Sequence, residues 1–440
     1  MTRIALTGVC LLTILGAACS GDKTSATRLN PQPAAASATS APALQGFSSE
    51  RLARVTTVMR ERVAAGRMPG GVLLIARDGE VVLEEAIGVL DPKTSAPMSK
   101  DAIFRIYSMT KPIVSAAVMM LVEEGKVQLT DPASKYFPEL KSLQVGVEKA
   151  GPDGTAVLEL VPAQREMTVH DLLRHMSGLT YGIFGKSLVK DAYLKAKVDD
   201  RNVTSDELIK RLATVPLHYQ PGSTWEYSRS TDVLGVLVER VSGQSLDVFL
   251  EQRILGPLKM KDSGFWVEDS SQHGRIAQPF DADPDTKQPI ELLEVRKKPS
   301  FFSGGGGMVS TARDYLRFAQ AMLNGGALDS ARILAPHTVR LMASDHTAGI
   351  RGPNYAPGPG YGFGLGFAVR VAEGEAVTAG SIGDHSWGGF AGTTFWIDPR
   401  ERLVALWLMQ APGARSETRT LFRTLVYSAL VSPHETDRLR

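Results

Sequence analysis

The stretch Ile113–Val122, "IVSAAVMMLV", is apolar at nearly every position. A helix that is apolar on all sides has no face to offer water, so it belongs in the middle of a protein with other elements around it. Gly125 then supplies a natural stop just beyond it. A chain of 440 residues, 43% of them apolar and 22% charged, can build such a surround. By length alone it has room for about two or three ordinary domains. Its 49 basic and 47 acidic residues leave a formal charge of +2, which carries no electrostatic footprint for nucleic acid. No internal repeat at a fixed period is found.

The layers come from the two ends of the chain. "GGVLLIARDGEVVLEEAIG", residues 70–88, has two β-rich runs around Asp78-Gly79, a strong short hairpin signal. "TTFWIDPRERLVALWLMQ", 393–410, repeats the strand–turn–strand pattern, and "SETRTLFRTLVYSALV", 416–431, reads as a final helix. A first amphipathic helix starts at Ser48 or Ser49. Between the ends lie mostly helical patterns and Gly/Pro-rich loops. The pattern predicts an α+β fold: an antiparallel sheet from the N- and C-terminal segments, flanked by helices, with a mostly helical second subdomain. Residues 48–440 are expected to form this single domain with two subdomains.

Ahead of it, residues 1–19, "MTRIALTGVCLLTILGAAC", read as an export signal, with Arg3 before a short apolar run and small residues at its exit. The run is too short for the roughly 20 residues of a membrane span. Gly16-Ala17-Ala18-Cys19 resembles a bacterial lipobox, with Gly16 where leucine is usual, so Cys19 is the expected lipidation site and plain secretion the competing outcome. The expected location is the bacterial envelope, periplasmic or lipid-anchored. Residues 20–47, rich in Ala, Ser, Pro and Thr, read as a flexible tether. The two cysteines, Cys10 and Cys19, both lie in the signal, which excludes thiol catalysis, disulfides and cysteine-based zinc sites from the folded part.

Several enzyme signatures are missing. Gly178-Leu179-Thr180-Tyr181-Gly182 has threonine where a nucleophile elbow needs serine, and no H-E-x-x-H pair exists. Asp384-His385-Ser386 holds the three members of a serine triad, but neighbours on an extended chain point to opposite faces. Gly304–Gly307 reads as a tight loop behind a site, not a phosphate cradle. Ser-x-x-Lys occurs three times. Ser20/Lys23 falls in the tether, and Ser187/Lys190 in a polar segment that reads as wet. Ser108-Met109-Thr110-Lys111 alone opens the all-apolar segment.

Position gives that copy its chemistry. Residues i and i+3 share a helix face, so the Lys111 amine is predicted to reach the Ser108 hydroxyl. Burial disfavours the ammonium form, and a neutral amine can take the proton of the hydroxyl, leaving an activated nucleophile. The unpaired N–H groups of a helix start can hold an oxyanion. Pro112 fits a first turn but disfavours helical geometry at Lys111. A capping serine beside a snorkelling lysine accounts for the spacing equally well.

"FRIYSMTKPIVSAAVMMLVEEGKVQLTDPASKYFPEL" resembles the active-site region of the serine β-lactamase and DD-peptidase superfamily, in particular the class C branch and the family VIII carboxylesterases. "MTVHDLLRHMSGL", "PGSTWEYSRSTDVLGVLVERVSG", "GGGGMVSTARDYLRFAQAML" and "SWGGFAGTTFWIDP" agree with it in order. The resemblance implies the serine β-lactamase fold, Ser108 as nucleophile and Lys111 as its partner base. It also implies Tyr227, in Tyr227-Ser228-Arg229, as the proton shuttle to the leaving alcohol. Arg229 departs from the asparagine usual in that motif. Trp387-Gly388-Gly389 stands where β-lactamases carry a cation and a hydroxyl for a substrate carboxylate, and Phe390 would give the second oxyanion N–H beside that of Ser108. Tryptophan brings apolar area and one N–H donor but no charge, which favours neutral esters. His175 is expected to be buried and hydrogen-bonded, while for His385, beside Trp387, lining the site and simple strand polarity are both open. The reading is an acyl-enzyme-forming carboxylesterase for short-chain esters, with a small-molecule substrate and no metal or cofactor implied. A β-lactamase or D-amino-acid peptidase using the same serine is the alternative. A non-catalytic envelope module that binds peptidoglycan is the alternative of another class.

Overall fold

A computed structural model describes residues 45–434; the expected export signal, Cys19 and the tether up to residue 44 lie outside the described residues. Phe47, which the sequence reading assigned to the tether, is fully buried and bridges to Leu430. The folded body therefore takes in the last residues of that segment, because an aromatic ring there finds an apolar site against the C-terminal helix.

Helix α1 (Ser49–Ala64) is capped by Ser48, whose hydroxyl accepts from the Arg51 N–H. Strands β1 (Gly70–Arg77) and β2 (Glu80–Asp91) follow, turning at Asp78 and Gly79 with φ of 52° and 84°. Two positive φ angles in a two-residue loop are what the right-handed strand twist demands. A short β3 (Ala96–Pro97) completes this end. The middle of the chain supplies α2 (Thr110–Glu123), α3 (Ser230–Ser242) and α4 (Ala312–Leu323). The C-terminal part adds β4 (Tyr361–Phe363), β5 (Ala368–Arg370), β6 (His385–Gly388), β7 (Thr394–Asp398), β8 (Leu403–Met409) and α5 (Arg415–Ala429). Among the described residues one antiparallel sheet of eight strands runs in the order β4-β5-β6-β7-β8-β1-β2-β3. The first and last parts of the chain meet where β1 pairs with β8, Leu73 opposite Trp407.

Both central strands are buried on every residue, which explains why they read as continuous apolar runs. Leu73, Ile75, Ala405 and Trp407 face α1 and α5, together with Val55, Met59, Phe422 and Val426. Val72, Leu74, Leu406 and Leu408 face the larger core that holds α2, α3 and α4. Helix α2 is buried at every residue from Thr110 to Leu121, as its composition requires. Gly125 follows it with φ of 69°. Lys111 and Pro112 both sit in its first turn, where the missing proline N–H has no intrahelical partner to lose. Lys111 is helical all the same, so the bias that Pro112 sets against that geometry is overridden. The observed layering is the α+β architecture predicted from the two sheet-forming ends.

Candidate active site

Ser108 lies in a short 3-10 turn, Tyr107–Met109, that feeds directly into α2. The turn is entered through Tyr107 at φ of 44°, an uncommon conformation for a residue with a side chain. It is held by the Tyr107 hydroxyl, which accepts from the Leu293 N–H at 3.0 Å. The result lifts the Ser108 side chain out of the core while Lys111, fully buried, points back at it.

The Lys111 Nζ is 3.2 Å from Ser108 Oγ, 3.3 Å from the Tyr181 hydroxyl and 2.6 Å from the Gly305 carbonyl oxygen. A lysine nitrogen bears at most three N–H bonds, and three oxygens stand around it. On the other side of Ser108 the Tyr227 hydroxyl is 2.6 Å from Oγ. The Tyr227 ring lies 4.5 Å from the Lys111 nitrogen, and its hydroxyl accepts from the Trp387 indole N–H at 3.3 Å. Ser108, Lys111, Tyr227 and Trp387 thus converge from the turn before α2, α2 itself, the loop before α3, and β6.

Trp387 lies near the end of β6, and the two residues after it must be small. A Cβ on Gly388 would lie 2.5 Å from the Arg419 guanidinium carbon, and one on Gly389 would collide with the Ile106 carbonyl and the Thr393 hydroxyl. The strand end therefore approaches the nucleophile's turn as closely as backbone allows. Among the described residues, the backbone N–H groups of Ser108 and Phe390 donate to no protein acceptor. The Phe390 side chain itself is exposed and packs 5.5 Å from the Tyr107 ring. A cavity of about 650 Å³ opens over these residues, walled by Phe184, Tyr361, Val377 and Phe390 among others.

Below the site lies a buried charge network. Arg229 donates to Asp232 at 3.0 Å and stands 3.1 Å from Asp199. Asp232 accepts from the Ser303 hydroxyl at 2.5 Å and the Gly305 N–H at 3.0 Å, so it fixes the loop whose carbonyl receives Lys111. Burial pushes the Asp232 carboxyl up, but the Arg229 guanidinium beside it and the Ser303 hydroxyl help to hold it below the usual range. The Arg229 that departs from the motif thus has a stated function here: it pairs with two acids.

Two site residues escaped the sequence reading. Tyr181 falls in a Gly-x-x-x-Gly stretch whose pattern marks no chemistry, and burial pushes its hydroxyl well above the ordinary tyrosine value. Gly305, expected to lie behind the site, contributes its carbonyl to it. Lys190, read as wet, is buried, ion-paired to Glu226 at 3.1 Å, and lines the same cavity. His175 is buried beside the Ser228 hydroxyl at 3.2 Å, as expected, and His385 is buried beside the Gly383 carbonyl at 3.1 Å, which favours the strand-polarity alternative over a place in the cavity wall. Asp384 binds Arg370 and Arg423, so the adjacent Asp-His-Ser residues form no relay.

Against known proteins, the family model described as Beta-lactamase matches residues 55–427. Protein Rv1367c of Mycobacterium tuberculosis is 36% identical over 365 residues, covering 80% of this chain and 88% of that protein. Esterase EstB of Burkholderia gladioli is 34% identical over 367 residues, covering 79% and 87%. The solved structure of EstCE1, a hydrolase with promiscuous acyltransferase activity, superposes with a TM-score of 0.70 at 26% identity, covering 87% of this chain and 99% of its own.

Proposed function

The chain belongs to the beta-lactamase family, and from that premise we propose that it is a serine carboxylesterase acting on short-chain acyl esters. Homology to an esterase over most of the chain makes it a serine hydrolase of the β-lactamase fold. The finer reading rests on one observation: Ser108 Oγ lies between the Tyr227 hydroxyl at 2.6 Å and the Lys111 amine at 3.2 Å.

In this reading the ester carbonyl enters the cavity above Ser108. Ser108 attacks, and its proton passes to the Lys111–Tyr227 pair in contact with Oγ. The carbonyl oxygen, now negative, is held by the free N–H groups of Ser108 and Phe390. Tyr227 faces the cavity and returns the proton to the departing alcohol, leaving an acyl-Ser108. Water, activated through the same pair, then releases the acid. Tyr181 and Gly305 keep the lysine nitrogen in place throughout.

Trp387 supports the choice of esters. Its indole occupies the wall where a carboxylate anchor would be needed and spends its one donor on Tyr227. Turnover of p-nitrophenyl butyrate against nitrocefin tests this. Ester hydrolysis that disappears in Ser108→Ala supports it, and strong nitrocefin turnover without ester cleavage overturns it. Acyl transfer to an alcohol is a second reading, favoured by the aromatic and apolar cavity walls, which would retain an alcohol in competition with water. Export, with Cys19 lipidated, belongs to the same proposal and is checked by metabolic palmitate labelling of wild type and Cys19→Ser.

A further inference from the structure

Arg419 has an unusual setting. It lies on α5, partly exposed and lining the cavity, and among the described residues no carboxylate stands with the groups that act on it. Its Nε is buried without a partner. Burial, then the neighbouring Arg415, pull its pKa down to about 10, which still leaves a full charge at neutral pH. A cation in such a place costs stability unless something else holds it there. One guanidinium nitrogen donates to the carbonyl of Gly389, and also to that of Thr393 at 3.0 Å.

The Gly389 carbonyl and the Phe390 N–H belong to one peptide group. A charged donor on the carbonyl draws electron density across the amide and makes the N–H at its other end a stronger donor. We propose that Arg419 is a positioning residue that polarises the Gly389–Phe390 peptide, strengthening the Phe390 N–H as an oxyanion donor. The proposal rests on the reading of that N–H given above.

The same contact accounts for a glycine. A Cβ at Gly388 would come within 2.5 Å of the guanidinium carbon and its terminal nitrogen, so Gly388 keeps the space in which Arg419 reaches the next residue's carbonyl. Gly389 also donates its own N–H to the Thr393 carbonyl at 2.8 Å. The turn is thereby fixed from both sides, and the arginine adds charge as well as geometry.

Arg419→Gln removes the charge, and Arg419→Lys keeps it with a single donor head. The readouts are kcat, KM, and binding of a trifluoromethyl ketone that forms a hemiketal oxyanion on Ser108, compared with its methyl ketone, which stays a neutral ground-state mimic. Weakening one of two donors should cost about tenfold in kcat, below the loss seen when a donor is removed outright. The trifluoromethyl ketone should lose affinity by the same factor in Arg419→Gln, with KM and methyl-ketone binding within twofold. The lysine variant should fall between. Gly388→Ala, which displaces the guanidinium from the other side, should show the same split. If only the lysine variant folds, its preference for the trifluoromethyl over the methyl ketone must drop below that of wild type. An unchanged kcat, or equal weakening of both ketones and KM, overturns the proposal. A wild type that forms no hemiketal and cleaves no ester overturns the esterase reading, and this proposal with it.

Discussion

The chain contains Ser-x-x-Lys twice in its folded part, and the two copies end differently. Ser187 caps the helix Leu188–Lys195 by accepting from the Lys190 N–H at 3.1 Å, while the Lys190 amine turns away to Glu226 and the Phe184 carbonyl. Ser108 stands before its helix, capping nothing, and the Lys111 amine turns back to it. Both lysines are buried. What separates them is what waits around the amine. A carboxylate neutralises Lys190 and fixes it as structure, whereas Lys111 meets a hydroxyl, a phenol and a carbonyl, groups with which it can exchange or hold a proton. Spacing brings a lysine near a serine; the acceptors decide whether the pair can do chemistry.

The largest expected contrast is between the serines. Ser108→Ala should lower kcat by about 10⁴-fold or more, the scale for losing a nucleophile, and Ser187→Ala should leave kcat within twofold; equal losses erase the distinction. Next come the lysines. Lys111→Met is expected to cost at least about 10³-fold in kcat with the fold retained. Lys190→Met leaves Glu226 buried without its cation, which is expected to cost about 3–5 kcal/mol of stability. Circular-dichroism melting beside kinetics separates these outcomes. Tyr227→Phe, which keeps the ring and removes the hydroxyl, should reduce kcat by about 10²-fold or more with little change in melting temperature.

The smallest effect is one of pH. Burial raises the Glu226 carboxyl, but hydrogen bonds from His218, Thr180 and Lys190 together bring it below the ordinary value of 4.5. A carboxyl held lower in the folded than in the unfolded state stabilises above the unfolded value, and that contribution fades as pH falls through the folded value. Wild type should therefore lose part of its stability below about pH 4.5. In Lys190→Met burial should prevail and reverse the slope, so that stability falls as pH rises through the range where Glu226 ionises. Denaturant melts from pH 3 to 7 would show this, and parallel slopes in the two proteins would break the account of Lys190.

How much of this could be read beforehand follows sequence distance. Helix α2 announced itself because burial on all sides leaves almost nothing but apolar residues beyond its first turn. The hairpin at Asp78-Gly79 did so because two positive φ angles restrict the choice of residue. Ser108 and Lys111 are three positions apart, so a helix face was enough to join them. Tyr227 and Trp387 became visible only through a family pattern. The remaining contacts of Lys111 come from Tyr181, 70 residues away, and Gly305, 194 residues away, and a backbone carbonyl leaves no mark in a sequence. Lys190 misled for a related reason. Its helix buries only Val189, Lys190 and Tyr193, so the segment looks polar, and its partner Glu226 lies 36 residues on. Gly388 looked like part of a motif, yet the volume it leaves free is filled by a side chain 31 residues later.

Intact-mass spectrometry with peptide mapping after exposure to a fluorophosphonate tests the central claim most directly. One adduct per chain is expected, carried by the peptide containing Ser108, absent in Ser108→Ala and unaffected in Ser187→Ala. An adduct on another residue, or a folded wild type that stays unmodified while it still cleaves esters, would contradict the account.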